Sequence, residues 1–214
     1  MDVLPYELLT NIVKYCDDKS ILNLGKVNTK FYDITKTKIT QIKDQLIEYV
    51  VDKDKGVYNF IVRNDCYNFQ LLLLLGLLKS NSSIFVTEDM MDTSLIDLCI
   101  RFKRFFMVKL LIEYGLDINK LNIQGYSPLM KAVSQIDYDS HSYSYKIIVL
   151  LLENGADPNI ESVCGSIPMD LINTNYGYFV IKSIKELLRE YGSREGNIQY
   201  SMYDYFSDND VWNF

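Results

Sequence analysis

Asp139, Ser140 and His141 stand side by side in the stretch QIDYDSHSYSY, residues 135–145, and His141 is the single histidine of the 214-residue chain. A carboxylate, a hydroxyl and an imidazole are the parts of nucleophilic acyl transfer, in which the imidazole takes the hydroxyl proton and the carboxylate orients the ring. That chemistry needs the three groups brought together on a rigid frame. Adjacent residues in a polar, tyrosine-rich insert have no such frame, so no catalytic residue is assigned. The four cysteines, Cys16, Cys66, Cys99 and Cys164, form no CxxC pair, and one histidine cannot complete a common zinc site. They read as reduced, buried thiols. No P-loop, dinucleotide fingerprint or nucleophile elbow occurs. The chain is therefore read as no enzyme, with no metal and no cofactor. The insert's tyrosines, Tyr138, Tyr143 and Tyr145, are better suited to contact, because tyrosine brings a large area at small entropic cost; a solvated expansion is the alternative.

With 48% hydrophobic residues and a mean hydropathy of −0.03, the composition is that of a soluble chain of one or two domains. The net charge of −6 offers nothing to nucleic acid or an anionic membrane. Leu71–Leu78 (LLLLLGLL) is the densest apolar run, and its eight residues fall far short of the roughly 20 that span a bilayer. It reads as a repeat helix. No basic start precedes an apolar run at MDVLPYELL, and no lipidation cysteine ends the chain. The expectation is an intracellular protein.

The elements that position these residues show in the spacing. Gly125-Tyr126-Ser127-Pro128-Leu129 reads as a turn opening a helix, since proline is tolerated in a helix's first turn. Gly155 closes a second helix as a left-handed cap. From Gly115 to Ser127 is 12 residues, and from Gly155 to Ile167 is again 12, each interval joining one unit's exit to the next unit's entry. Counting back 12 from Thr93 reaches Asn81, expected to replace glycine as the cap of a degraded first unit. Such units bury their apolar faces on one another. Ile147–Leu152 is apolar all round, so its helix is expected to be sandwiched, whereas Ile181, Ile184, Leu187 and Leu188 mark one apolar face on the last helix.

These units resemble the ankyrin repeat. Entries of its threonine-proline-leucine type appear at Thr93-Ser94-Leu95, Ser127-Pro128-Leu129 and Ile167-Pro168-Met169. Leucine pairs and exits appear at Leu110-Leu111 with Gly115-Leu116-Asp117-Ile118-Asn119, and at Leu151-Leu152 with Gly155-Ala156-Asp157-Pro158-Asn159. Met130 and Asp170 replace the usual entry histidine, and Leu98 and Ile172 stand where a small alanine is typical. Cys66 and Cys99 lie one repeat length apart, which implies a shared packing position. Ankyrin stacks bind protein through hairpin tips and first helices, so the resemblance implies tips near Met90–Asp92, Asn122–Tyr126 and Ser162–Gly165 and target contacts at Asn122, Gln124, Tyr126 and Lys131, joined by Tyr138 and Tyr143 of the insert.

The first fifty residues are a separate piece. Leu4-Pro5-Tyr6-Glu7 opens a helix with proline in its first turn and a carboxylate at the positive end of the dipole. Leu8, Leu9, Ile12, Val13 and Cys16 continue one apolar face. Asp17-Asp18 caps a second helix with Ile21, Leu22 and Leu24, and Val27, Phe31 and Ile34 face a third. A core this small is marginal alone. The stretch LPYELLTNIVKYCDDKSILNLGKVNTKFYDI resembles the F-box through Leu4, Pro5, Leu8, Leu9, Ile12, Tyr15, Leu22, Leu24, Val27, Asn28, Lys30 and Phe31. That resemblance implies docking on a Skp-type adaptor of a cullin-RING ubiquitin ligase, with Leu4, Pro5, Leu8, Leu9, Ile12, Leu22, Leu24 and Val27 as the contacts. The alternative is that these residues cap the end of the repeat stack.

The organisation expected is all-α: an F-box at 1–38, a linker helix at 39–56 ended by Asp52–Gly56, and an ankyrin solenoid of about four repeats at 57–192 (57–89, 90–121, 122–161 and 162–192). An acidic tail with six aromatics follows at 193–214, expected to fold back or meet a partner. The functional expectation is a substrate receptor of a ubiquitin ligase, monomeric when free, that binds a Skp-type adaptor and an unidentified protein target. The rivals are a plain ankyrin scaffold without a ligase link and, far behind it, an enzyme using Asp139, His141 and the tyrosines of the insert. F-box followed by ankyrin resembles proteins of large DNA viruses and intracellular bacteria, which by analogy places the chain in a host cytoplasm.

Overall fold

The computed structural model describes residues 16–27, 29–49, 53–86, 91–136, 143–173 and 178–196. The chain divides into two compact units, residues 1–79 with 84–90, and residues 80–83 with 91–214. It is all-α in class, with two four-residue strands that the sequence reading did not anticipate, β1 (Ser83–Val86) and β2 (Met91–Ser94).

The first unit holds α1 (Asp18–Val27), α2 (Thr29–Tyr49), α3 (Lys53–Val62) and α4 (Cys66–Leu74). Asp17 sits just before α1, and its carboxylate accepts the Ser20 N–H at 3.2 Å. This bond satisfies an orphan donor of the first turn, and the Ser20 hydroxyl together with this N–H holds the Asp17 carboxyl below its ordinary range. The helix packs along α2, burying Ile21 and Leu22 on one side and Ile42 and Leu46 on the other. α2 runs unbroken through the boundary expected at 38/39, because no glycine or proline interrupts 29–49. The expected third F-box helix and linker helix are thus one element, and Lys53–Gly56, expected to end the linker, opens α3 instead. α3 and α4 form a hairpin in which the Asp65 side chain accepts the Asn68 N–H. Only 71–74 of the LLLLLGLL run are helical; Gly76, at φ +70°, closes the helix in the left-handed region.

The second unit is a series of helical hairpins: α5 (Leu95–Arg101) with α6 (Phe105–Glu113), α7 (Pro128–Ser134) with α8 (Tyr143–Glu153), and a 3-10 turn (Pro168–Leu171) followed by α9 (Tyr178–Glu190). α5 packs on α6 and α7, α7 on α8 and on the 3-10 turn, and α6 on α8. The core along these faces is Leu95, Leu98, Met107, Leu111, Leu129, Met130, Ile147 and Leu151, all completely buried. α8 is less enclosed than its all-apolar sequence suggested: Ile147, Ile148, Leu151 and Leu152 are buried, whereas Val149 and Leu150 keep part of their surface. The apolar face read on α9 is present, with Ile181, Ile184, Leu187 and Leu188 buried.

Two details of register differ from expectation. Ser94, not Thr93, caps α5, accepting the Asp97 N–H at 3.2 Å as Ser127 accepts the Met130 N–H in α7. Both hydroxyls are competent caps, so adjacent Thr and Ser left the register open by one. Cys99, rather than Leu98, therefore occupies the small-residue position five after the cap. Cys66 opens α4, so the two cysteines share no position; Cys99 is buried, Cys16 and Cys66 are half-buried and Cys164 is exposed.

Asn81 likewise has another role. It is not the cap, which is Gly76; instead its side chain holds the exit of the following hairpin, donating from Nδ2 to the Gly115 carbonyl at 3.2 Å and accepting the Asp117 N–H at 2.8 Å. Asn119 repeats this on Gly155 (3.0 Å) and Asp157 (2.9 Å). Asn159 repeats it again on Gly192 (2.8 Å) and Arg194 (2.8 Å). One amide thus clamps each hairpin exit to the next, and the exit of α9 is held by Asn159 in the same way. Replacing Asn119 by alanine removes two hydrogen bonds and strands both backbone partners, and roughly 1–3 kcal/mol of stability is expected to be lost. Chemical denaturation followed by far-UV dichroism measures it; an unchanged midpoint would mean that water replaces the clamp without cost.

Candidate functional site

The hairpin tips are built on two equivalent turns. The Asn122 side chain accepts the N–H groups of Gln124 (2.9 Å) and Tyr126 (3.0 Å), and its backbone closes the loop with Tyr126 and Gly125. Ser162 does the same forty residues later, taking the N–H groups of Cys164 and Ser166 on its hydroxyl. Asn122 also donates from Nδ2 to Asp97 Oδ2 at 2.8 Å. Both ends of its amide are thus used within the chain, and Asn122 shapes the tip.

Immediately after each of these turn residues stands an aliphatic side chain in solvent, Ile123 at 72% exposure and Val163 at 78%. The tips touch through Gly125: a Cβ there would fall 2.7 Å from Val163 Cγ1, and the residue's φ of +78° is itself left-handed. Only glycine lets the neighbouring valine seat so closely. Leu121 adds further exposed apolar surface beside Ile123. Exposed apolar side chains gathered at one edge mark an interaction surface rather than a core.

Three of the expected target contacts meet on this edge. Lys131 Nζ donates to Gln124 Oε1 at 3.2 Å and lies 6.0 Å from the Tyr126 ring centroid. The ammonium is thereby drawn from the first helix toward the tip, over an aromatic face. Tyr143 is half-exposed but lies elsewhere. It opens α8, whose far end sits at the tips through the Asn119–Gly155 bond, and eleven residues of helix at 1.5 Å each put it about 16 Å away. Lys146 lies 5.3 Å from its ring centroid. Tyr138 and His141 fall outside the described residues.

The leading segment is seen in part. Leu4, Pro5, Leu8, Leu9 and Ile12 lie outside the described residues, as do the side chains of Leu24 and Val27. Leu22 is described and is only 5% exposed. It belongs to the core between α1 and α2 and presents almost no surface to an adaptor. The tail beyond Gly196 is outside the described residues. Among those described, no cluster of three or more His, Cys, Asp or Glu side chains could hold a metal, and no helix is long and apolar enough to cross a membrane.

Ile123 and Val163 fall within the tips expected at 122–126 and 162–165 but were not singled out there, since an aliphatic residue in a loop looks like any other. Their equal offset, one after each turn organiser, was the available signal.

Comparison with known proteins agrees with this architecture. The family model for ankyrin repeats (3 copies) matches residues 60–162, and that for the F-box domain matches residues 1–42. An ankyrin repeat protein of Acanthamoeba polyphaga mimivirus is 35% identical over 105 residues, which cover 49% of this chain and 29% of that protein. The chain thus matches less than a third of the relative's length.

Proposed function

Because the chain joins an N-terminal F-box to ankyrin repeats, two non-catalytic interaction modules, and is thereby an F-box protein-interaction adaptor, we propose that it is the substrate receptor of an SCF-type ubiquitin ligase. In this reading residues 1–38 dock on a Skp-type adaptor, and the repeats within 57–192 hold the target protein. The observation that carries it is the order of the modules together with the row of exposed aliphatic tips at Ile123 and Val163.

The adaptor contacts are Leu4, Pro5, Leu8, Leu9 and Ile12, with Leu24 and Val27; Leu22 supports them from beneath. On the target side the contacts are Ile123 and Val163, flanked by Gln124, Tyr126 and Lys131. An aliphatic side chain moved from water to an interface contributes about 1.5–3 kcal/mol. The viral relative supports placing the protein in the cytoplasm of an infected cell.

One observation favours the rival scaffold reading, in which the leading helices only cap the repeats: Leu22, an expected adaptor contact, is only 5% exposed in the free chain. Co-purification decides between them. The receptor reading expects a stable complex with a Skp-type adaptor, and persistent failure to form one establishes the scaffold. The double variant Ile123→Asp, Val163→Asp is expected to weaken capture of target proteins at least tenfold while adaptor binding stays unchanged, as quantified by isotope-labelled mass spectrometry of material retained by the intact chain and by the variant. Equal retention would place the target surface elsewhere.

A further inference from the structure

Between the tip that contains Asn122 and the preceding segments 80–83 and 92–97 lies a cleft of about 140 Å³. Its walls include Ile96, Leu121, Ile123, Pro128 and the ring of Tyr126. Its charged side chains are three carboxylates, Asp92, Asp97 and Asp117, against one ammonium, Lys120.

Asp97 makes this cleft unusual. It is only 4% exposed, yet its carboxylate accepts a single hydrogen bond, from Asn122 Nδ2 to Oδ2, and no ion pair reaches it among the described residues. Oδ1 meets no protein donor there. A carboxylate taken out of water without a counter-charge is costly, and Lys120, on the same rim, does not pair with it. The third position of α5 softens this cost, because a helix N-terminus favours negative charge. The equivalent position is Met130 in α7 and Asp170 in the 3-10 turn, where the carboxylate accepts the Ile167 N–H at 2.8 Å; Asp97 makes no such bond to Ser94, so capping does not use its carboxylate.

We propose that this cleft takes an arginine side chain of the target protein. The inference rests on the repeats serving as the target-binding module. The aliphatic stem lies along Ile96, Ile123 and Pro128, and the guanidinium reaches Asp97, with Asp92 and Asp117 at the rim. Arginine suits this place better than a hydrated metal ion, since its stem needs apolar walls and its planar fork offers donors to the free carboxylate oxygen.

The test uses the full chain and two small probes, N-acetyl-arginine methylamide and N-acetyl-citrulline methylamide, which match in shape and differ in charge. Amide NMR is expected to show saturable shifts at Asp97, Asn122 and Tyr126 with the arginine probe and at least tenfold weaker binding of the citrulline probe. Asp97→Asn, which keeps the shape and the Asn122 bond, is expected to weaken the arginine response at least tenfold, and thermal unfolding verifies that the variant folds. Should it not fold, Asp92→Asn, at the exposed rim, is expected to weaken the response at least threefold. No saturable shift, equal binding of both probes, or the same shifts produced by calcium chloride alone would overturn the proposal. Adaptor binding and target capture are read separately, so a missing arginine response leaves the receptor reading standing, and a failed receptor reading leaves the probe result intact.

Discussion

Leu8→Asp is expected to abolish binding to a Skp-type adaptor while the hairpins of residues 91–196 stay folded. By their spacing in the sequence, Leu8, Leu9 and Ile12 are expected to share one face of a helix with Pro5 in its first turn. If an adaptor covers that face, the substitution removes an apolar contribution of about 1.5–3 kcal/mol and asks the interface to desolvate a carboxylate besides. The combined loss corresponds to at least a hundredfold in affinity at about 1.4 kcal/mol per tenfold. Leu8 belongs to the first compact unit, so the second unit has no reason to respond. Binding is read by calorimetry and folding by dichroism on the same preparation. If the repeats unfold together with the loss of binding, the leading helices are a structural cap and the receptor reading fails.

The second large effect lies in the core. Leu151→Ala is expected to cost about 2–5 kcal/mol, the range for deleting most of a buried leucine. Leu151 is completely buried on α8, which packs on both α6 and α7, so the cavity opens where two hairpins meet. In a repeat array each layer is stabilised by its neighbours. Damage to this central layer is therefore expected to split a single unfolding transition into two, with the hairpins on either side melting separately. Denaturation monitored residue by residue through hydrogen exchange checks this. One cooperative transition, displaced but unsplit, would show that the layers are coupled more tightly than nearest-neighbour packing allows.

The legible part of this fold was the part with rigid spacing. Gly115 and Gly155 sit at fixed distance from Ser127 and Ile167 because the chain must leave one helix in a left-handed cap, cross the tip and enter the next helix, and that path has one length. Where the path differs, the reading slipped. Gly76 lies 18 residues before its entry cap Ser94, six more than the spacing of 12, so counting backward landed on Asn81, which has the composition of a cap and the role of a clamp. The clamp itself, repeated in Asn119 and Asn159, is a tertiary hydrogen bond between sequence-distant residues and carries no local signature. Cys66 and Cys99 show the same limit, since a separation of one repeat length does not make two positions equivalent when the intervening loop has changed.

The candidate site was legible in outline. Gln124, Tyr126 and Lys131 do meet at one tip, because a turn and the first helix that follows it are neighbours in sequence as well as in space. Asn122 stands at the same tip, where its side chain holds the turn and reaches Asp97. Tyr143 is contiguous with the insert in sequence yet stands at the opposite end of α8, since the second helix of a hairpin returns to the tip with its last residue, not its first. The exposure of Ile123 and Val163, and the incompletely partnered carboxylate of Asp97, depend on what surrounds them, which only the folded chain specifies.

The most direct test of the account is a titration of the purified chain, bearing both modules, with a purified Skp-type adaptor. The account predicts a one-to-one complex of submicromolar affinity that Leu8→Asp eliminates. An absence of binding at high micromolar adaptor, with the chain shown to be folded, would contradict it.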